Sequence, residues 1–324
     1  PVVVLGVHSD VSTWWLWVKD GGRGPCSLPE YLSWQRDLAR QALQQADVVV
    51  CPSAFLATEL VACHGLSRAP VVIHNAVTDP AAPPIDLPAV PRERGLAVVA
   101  GRAWDEAKNL AVVAAAVRRC RSPWQVDVAG DIVEPGRAGA YPPPPAPGMF
   151  YHGFLDKERL TALYRRAAVC LAPSSYEPFG LAPAEAALSG CAVVANDLPS
   201  YREVWGDAAC YFTRNDPVAL AERLDRLYGD DAEVARLAQA ARERVAQRYT
   251  LQRMVDGYVA VYRRASGAAA SGFKVPSPAR PAVRRSRRLT RRLERSHRFG
   301  WISHVPAGMA PKARPAQPGT RNAD

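Results

Sequence analysis

The stretch at 167–197, AAVCLAPSSYEPFGLAPAEAALSGCAVVAND, decides the fold. Apolar runs at 168–172 and 191–195 predict two buried strands, and the alanine-rich segment at 182–189 predicts a helix between them. A strand–helix–strand order of this kind is typical of a parallel sheet with right-handed crossovers. The stretch therefore predicts an α/β fold with helices on both faces of a sheet.

The same alternation extends in both directions along the chain. Further predicted elements on the C-terminal side are strands at 96–100, 125–129, 149–152 and 209–212 and helices at 109–120, 156–166, 199–204, 216–228, 231–248 and 250–264. On the N-terminal side they are strands at 1–8, 47–51 and 71–74, a helix at 30–46 and a helix capped by Ser53. Residues 78–95 contain five prolines and no hydrophobic period, which indicates a linker.

These patterns predict two doubly wound, parallel-sheet domains and a tail. We expect a first domain with its linker over 1–90, a second domain over 91–266, and a disordered Arg/Pro-rich tail over 267–324. The first domain has few elements for such a sheet, and we interpret it as incomplete, in a chain truncated at its N-terminus.

The net charge of +10 is concentrated in the tail. From Ser271 to Asp324 there are 13 Lys/Arg and 2 Asp/Glu, so the rest of the 324-residue chain is close to neutral. The charge therefore predicts no specific nucleic-acid partner for the body, and only weak attraction of the tail to an anionic membrane.

The seven cysteines form no C-x-x-C pair, and several stand inside apolar strand patterns. We interpret them as free thiols in a reducing compartment. No apolar run reaches the ~18 residues of a membrane span, and no signal peptide is recognised. The expected location is cytoplasmic, or peripheral at the inner membrane face.

A strand-to-helix turn, Pro178-Phe179-Gly180-Leu181, separates two glutamates, Glu177 and Glu185. Gly180 allows a tight turn, and the backbone N–H groups of the first helical turn then form an anion site. Glu185 lies one turn into the helix, where its carboxylate can accept hydrogen bonds from a vicinal diol such as a ribose. The carboxyl end of a parallel strand is also where open α/β sheets bind ligands.

A second cluster follows the strand at 96–100: Gly101, Arg102, Lys108 and Asn109 in GRAWDEAKN. Two cations at one strand end and a glycine turn at another would meet in one crevice. No D-x-D metal motif, P-loop or G-x-S-x-G elbow is present in the sequence. Trp14, Trp15 and Trp17 are interpreted as core residues rather than sugar-stacking ones.

These residues resemble glycosyltransferase family 4, the retaining glycosyltransferases of GT-B fold, which has two Rossmann-like domains. The E-x7-E motif of the family matches Glu177 and Glu185, and its Gly-Arg…Lys-Asn stretch matches the second cluster. The segment VIHNAV at 72–77 resembles the family's Val-Ile-x-Asn-Gly-Val, with Ala76 in place of glycine. The opening PVVVLGVHSD resembles the strand that brings a histidine, here His8, to the reaction centre.

The resemblance implies a carbohydrate-biosynthetic enzyme that moves a sugar from a nucleoside diphosphate sugar to an acceptor hydroxyl with retention of configuration. It implies no cofactor and no metal, with Arg102, Lys108 and the helix after Gly180 stabilising the diphosphate. His8 and Glu177 are the implied catalytic residues. The implied donor-binding residues are Gly101, Arg102, Lys108, Asn109, Phe179, Gly180, Leu181 and Glu185.

The acceptor is left open as a glycan, a lipid or a small molecule. Two alternatives also stay open: a truncated, non-catalytic module that only binds nucleotide sugars, and a sugar-nucleotide epimerase on the same fold.

Overall fold

A computed structural model describes residues 2–77, 92–134 and 146–270, with side chains up to residue 267. Most of the predicted linker and the predicted tail, from residue 271 onward, lie outside the described residues. The described part contains two parallel sheets, one of three strands and one of six. The predicted α/β class with two parallel sheets is therefore confirmed.

The first sheet is formed by short, β-branched strands in the order β1-β2-β3. Its strands are β1 (Val4–Gly6), β2 (Val48–Cys51) and β3 (Val71–Val72). Val4 is paired with Val48, and Val50 with Val71, in parallel register. Its helices are α1 (Val11–Val18), α2 (Ser33–Gln45) and α3 (Ala54–His64).

Two of these helices begin at side-chain caps. Ser53 Oγ accepts a hydrogen bond from the backbone N–H of Leu56 at 3.2 Å, which confirms the predicted cap of α3. Helix α1 was not predicted, although its N-terminus carries a cap as well. Asp10 Oδ2 accepts from the N–H groups of Ser12 and Thr13 at 2.9 and 3.0 Å.

The second sheet has the order β6-β5-β4-β7-β8-β9, with every neighbouring pair parallel. Its strands are β4 (Glu93–Ala100), β5 (Gln125–Ala129), β6 (Met149–Gly153), β7 (Ala167–Ala172), β8 (Ala192–Asn196) and β9 (Cys210–Phe212). Its helices are α4 (Leu110–Val117), α5 (Lys157–Arg166), α6 (Leu181–Leu188), α7 (Pro199–Trp205), α8 (Pro217–Tyr228) and α9 (Asp231–Arg248). Each predicted strand and helix of this region is present. Strand β4 begins inside the segment that was predicted to be linker.

The last helix, α10 (Leu251–Ala270), returns to the first sheet. Its residues Met254, Tyr258 and Val261 pack against an apolar cluster that contains Val50 and Ile73. The residue Tyr249, just before α10, contacts the segment that follows β3. The N–H of Val77 donates a hydrogen bond to the carbonyl of Tyr249 at 2.8 Å. The two segments that cross between the sheets thus touch each other.

An apolar cluster joins the two sheets into one body. Trp17 packs edge-on against Phe55 with ring centroids 5.0 Å apart, and Phe55 lies 6.3 Å from the ring of Tyr176, which follows β7. Trp17 is 7% exposed, which confirms its prediction as a core residue. Trp14 and Trp15 are only half-buried.

The interpretation of all cysteines as free thiols is wrong for one pair. Cys26 and Cys63 form a disulfide, with Cα atoms 5.1 Å apart, that ties the segment after α1 to the end of α3. The sequence separation of 37 residues concealed the pairing, because only the fold brings the two together. Cys51, Cys120, Cys170, Cys191 and Cys210 are free.

Glu203 on α7, a helix of the second sheet, contacts the start of α3, a helix of the first sheet. Its carboxylate accepts from the N–H groups of Ala54 and Phe55, at the N-terminus of α3, at 2.8 and 3.0 Å. It also lies 3.2 Å from Nε2 of His74. Burial by itself would raise the pKa of Glu203, but the hydrogen bonds from His74 and the two N–H groups outweigh it and lower this pKa below its usual value.

Removing the disulfide should lower stability. We expect Cys26→Ser/Cys63→Ala to reduce the free energy of unfolding by about 2–4 kcal/mol, because the unfolded chain gains conformational freedom. Urea unfolding with and without dithiothreitol measures this. The reductant should shift the wild type toward the double variant and leave the variant unchanged. An effect of the reductant on the variant would show that another group is responsible.

Acid should weaken the contact of Glu203 with α3. The pKa of Glu203 is lower in the folded protein than in the unfolded chain. The contribution of Glu203 to the free energy of unfolding is therefore fully present above the unfolded value of about 4.3 and is lost as the pH falls through the folded pKa. Glu203→Gln should cost about 1–2 kcal/mol at neutral pH and show a shallower acid loss than the wild type. Urea unfolding from pH 3 to 7 measures both, with the exposed Glu222→Gln on α8 as the control. A constant difference between wild type and Glu203→Gln at every pH would contradict this account.

Candidate functional site

A cavity of about 440 Å³ opens at the carboxyl ends of β4 and β7. These strands are neighbours in the second sheet, with Val98 opposite Cys170, so the loops that follow them lie side by side. From the first sheet's side, His8 and Asn75 also line the cavity. The cavity therefore collects residues from both sides of the molecule.

Most of the predicted site residues line this one cavity. Those that do are His8, Gly101, Arg102, Lys108, Glu177, Phe179, Gly180 and Leu181. Asn109 and Glu185 are not among its lining residues. The two predicted clusters, after β4 and after β7, thus meet in one place.

Gly180 provides a turn that other residues would not adopt easily. Its φ is +92°, and a Cβ there would lie 3.0 Å from Cε1 of Tyr201 and 3.2 Å from Cγ of Pro183. Gly180 is the N-cap of α6 and no side chain caps this helix. The N–H groups of Leu181 and Ala182 are therefore available to an anion in the cavity.

Lys108 and Glu177 form an ion pair across the cavity, with Nζ 2.6 Å from Oε2. The Lys108 side chain crosses the face of Gly101, where a Cβ would lie 3.1 Å from Cε of the lysine. Gly101, with a φ of +146°, thus leaves room for the cation to reach the carboxylate. The two side chains are mostly buried, so their charges are screened less than those of a surface pair.

Arg102 stands at the rim of the cavity. Its guanidinium lies 2.7 Å from Oδ2 of Asp105 and 5.2 Å from the ring centroid of Trp104. Half of its side chain, 49%, is exposed. Arg102 is held in position by its neighbours while keeping N–H donors open toward solvent.

The two predicted residues outside the lining lie close to it along the chain. Asn109 follows Lys108, and its side-chain Nδ2 donates to the carbonyl of Pro173 at 3.1 Å and to Oδ1 of Asn215 at 2.9 Å. Glu185 is exposed on α6. Desolvation raises the pKa of the Glu185 carboxyl, and the nearby charge of Lys157 partly opposes this effect.

The lining residues that were not predicted as site residues include Asn75, Ser174 and Tyr201, whose side chains carry polar groups. Asn75 stands inside the segment VIHNAV that carried part of the resemblance, and this position was a usable signal. Tyr201 had no sequence signal of its own. Burial raises its pKa well above the usual value, and the negative charge of Glu177 raises it further, so the phenol is a neutral wall of the cavity.

The arrangement suits an anion that also carries hydroxyl groups. Lys108, Arg102 and the start of α6 provide positive potential at one end, while Glu177 and the amide of Asn75 can accept or donate hydrogen bonds. Within the described part of the chain, no three His, Cys, Asp or Glu side chains are grouped as metal ligands. Over the same residues, no helix has the length and apolarity needed to cross a bilayer.

Comparison with known proteins matches the part of the chain that supplies most of the residues lining this cavity. Residues 94–230 match the family model "Glycosyl transferases group 1". A glycogen synthase of Mycobacterium tuberculosis is 33% identical over 133 residues, which are 40% of this chain and 31% of that protein. The O-antigen chain mannosyltransferase B of Escherichia coli is 33% identical over 109 residues, 34% of this chain and 27% of that protein. The matched region thus spans about a third of the length of these curated relatives.

Solved structures share the fold over a longer part of the chain. A sucrose-phosphate synthase from Thermosynechococcus elongatus superimposes with a TM-score of 0.64 at 21% identity, covering 82% of this chain and 68% of that one. The Anabaena protein HepE, solved with UDP and glucose, gives a TM-score of 0.61 at 16% identity and covers 82% and 72%. The fold of the chain is therefore that of the GT-B proteins.

A side chain at Gly180 should disturb the turn in two ways. We expect Gly180→Ala to lower the free energy of unfolding by about 1–3 kcal/mol, because it adds crowding against Tyr201 to an unfavourable φ. Gly24→Ala is the matched control, since Gly24 has a φ of +96° but nothing within 4 Å of its Cβ position. Urea unfolding of the two variants separates strain from crowding. Equal losses would show that the contact with Tyr201 has no cost.

Proposed function

We propose, from the match of residues 94–230 to the family model "Glycosyl transferases group 1", that the cavity binds a nucleoside diphosphate sugar. The proposed reaction transfers the sugar to an acceptor hydroxyl with retention of configuration. The bond between the anomeric carbon and the diphosphate breaks, a bond to the acceptor oxygen forms, and the proton of the hydroxyl passes to the departing diphosphate or to water. The diphosphate leaves with an added negative charge that must be stabilised.

The observation that carries this proposal is the meeting of Lys108 with the N-terminus of α6 in one cavity. A diphosphate needs several N–H donors and at least one cation close together. Lys108 Nζ and the N–H groups of Leu181 and Ala182 supply these, and Arg102 can add its guanidinium from the rim. This set supports stabilisation of the leaving group by protein groups alone.

Glu177 and His8 are the residues we propose for the sugar. Glu177 Oε2 lies 2.6 Å from Lys108 Nζ, so the carboxylate is held in place where hydroxyl groups would approach. There it can orient the sugar or stabilise the positive charge that develops at the anomeric carbon. His8 approaches from the opposite wall of the cavity and can hydrogen-bond the sugar near the reacting carbon.

Glu185, Phe179 and Leu181 are proposed for the nucleoside. Glu185 lies about one helical turn beyond Gly180, next to the cavity lining along α6, and we assign its carboxylate to hydrogen bonds from the ribose hydroxyls. Because HepE has been solved with UDP, a uridine nucleotide is the first donor to test. The acceptor stays open as a glycan, a lipid or a small molecule.

Two further proposals concern organisation and location. We retain the division into a first domain at 1–90 and a second at 91–266, which the two separate sheets support, with the difference that α10 packs on the first sheet. We also retain a cytoplasmic location, although the disulfide between Cys26 and Cys63 removes one of its supports.

Replacing Lys108 should weaken donor binding. We expect Lys108→Met to raise the Kd for UDP-glucose or UDP by about 10–100-fold, since a charge-assisted hydrogen bond to phosphate is lost. Isothermal titration with UDP, UDP-glucose and GDP-mannose measures this. Arg121→Met is the charge-matched control, because Arg121 precedes β5 at the other end of the sheet and is 87% exposed.

The same titrations, with product analysis, separate the alternatives. Transfer to water or to an added acceptor would support the enzyme, and binding without turnover would favour the non-catalytic module. Epimerised sugar nucleotide without an acceptor would favour the epimerase. Equal Kd values for Lys108→Met and the wild type would contradict the proposed diphosphate site.

A further inference from the structure

Three asparagines from separate segments meet beneath the loop that carries Glu177. Asn109 follows Lys108, Asn196 ends β8, and Asn215 follows β9. Asn196 is fully buried, while Asn215 is exposed. Asn109 and Asn215 have φ values of 51° and 56°, in a region that asparagine, aspartate and glycine tolerate best.

The amide groups of these residues hold the backbone of the loop at 173–177. Asn196 Nδ2 donates to the carbonyl of Ser174 at 2.9 Å and lies 3.3 Å from that of Pro173. Asn109 Nδ2 reaches the same Pro173 carbonyl at 3.1 Å. The loop has no strand or helix partner for these carbonyls, so the side-chain amides satisfy them.

Asn215 ties the two donors together. Its Oδ1 accepts from Nδ2 of Asn109 at 2.9 Å and from Nδ2 of Asn196 at 2.8 Å. Its backbone N–H donates to Oδ1 of Asn196 at 2.9 Å. In this network, the Asn215 side chain acts as an acceptor, whereas the side chain of Asn109 acts as a donor.

The network joins the two arms of the cavity. The arm after β4 carries Lys108 next to Asn109, and the arm after β7 carries Glu177 four residues after Pro173. A backbone hydrogen bond from Ser175 N–H to the carbonyl of Ala107, at 2.9 Å, and the ion pair of Lys108 with Glu177 also join these arms. We infer that Asn109, Asn196 and Asn215 are positioning residues that set the separation of Lys108 and Glu177. The inference rests on the proposed function, since it assigns the network to the donor site.

The direction of the hydrogen bonds gives a sharp test. Asn215→Asp keeps an acceptor for both amides, so the network should persist. Asn109→Asp loses the donor and sets a carboxylate against two oxygens, so the tie should break. The two side chains contact each other, their backbones have similar φ values, and each variant adds one negative charge. Asn196 is left intact, because a change at a fully buried amide would also lower global stability.

The measurement is the Kd for UDP-glucose by titration, combined with amide hydrogen exchange of the segment at 173–180. We expect Asn109→Asp to raise Kd about tenfold or more and to speed exchange in this segment, while Asn215→Asp stays within about threefold of the wild type. Asn215→Gly, which keeps the backbone conformation but removes the acceptor, should behave like Asn109→Asp. Gln44→Glu, on the exposed surface of α2, controls for the added charge.

Equal effects of Asn109→Asp and Asn215→Asp on Kd, or no effect of either, would overturn the inference. If the wild type binds neither UDP nor UDP-glucose, the proposed function fails and the exchange data decide the network. Faster exchange at 173–180 in Asn109→Asp and Asn215→Gly, but not in Asn215→Asp, would then support the positioning of the loop, and identical exchange in all variants would overturn it.

Discussion

The parallel pairing of β4 with β7 is the constraint on which the site depends. Parallel strands end on the same edge, so the loops after Ala100 and after Ala172 must emerge side by side. Antiparallel pairing would send one of these loops to the opposite edge and separate Lys108 from Glu177. This register brings the two loops together, and the glycines Gly101 and Gly180 then shape the loops locally.

The pair of Lys108 and Glu177 gives the cavity its chemical character. A buried cation without a partner would be costly, and the carboxylate compensates it while no anion is bound. The same carboxylate stands where hydroxyl groups of a sugar would approach, so one contact both stabilises the folded protein and prepares the site. Arg102 has a similar local partner in Asp105, which limits its freedom before any ligand arrives.

Local signals predicted the turn at Gly180 and the second sheet well, because each apolar run there is bounded by glycine, proline or a cap. They failed where the outcome depends on distant parts of the chain. The side chain of Asn109 bonds to Pro173 and Asn215, more than 60 residues away, so no motif could predict its direction. The disulfide partner of Cys26 was hidden for the same reason. Helix α1 was missed because its apolar, tryptophan-rich run was interpreted without its cap at Asp10.

The hydrogen bond between Val77 and Tyr249 joins the two places where the chain passes between the sheets. Two crossings that touch each other are a place where a hinge can form, whereas the contacts of Phe55 with Tyr176 and of Glu203 with the start of α3 hold the two sheets together. His8 and Asn75 line the cavity from the side of the first sheet, and Lys108 and Glu177 line it from the side of the second sheet. A bound molecule that touched both sides of the cavity would add to these contacts and favour the arrangement in which the two sides are close together.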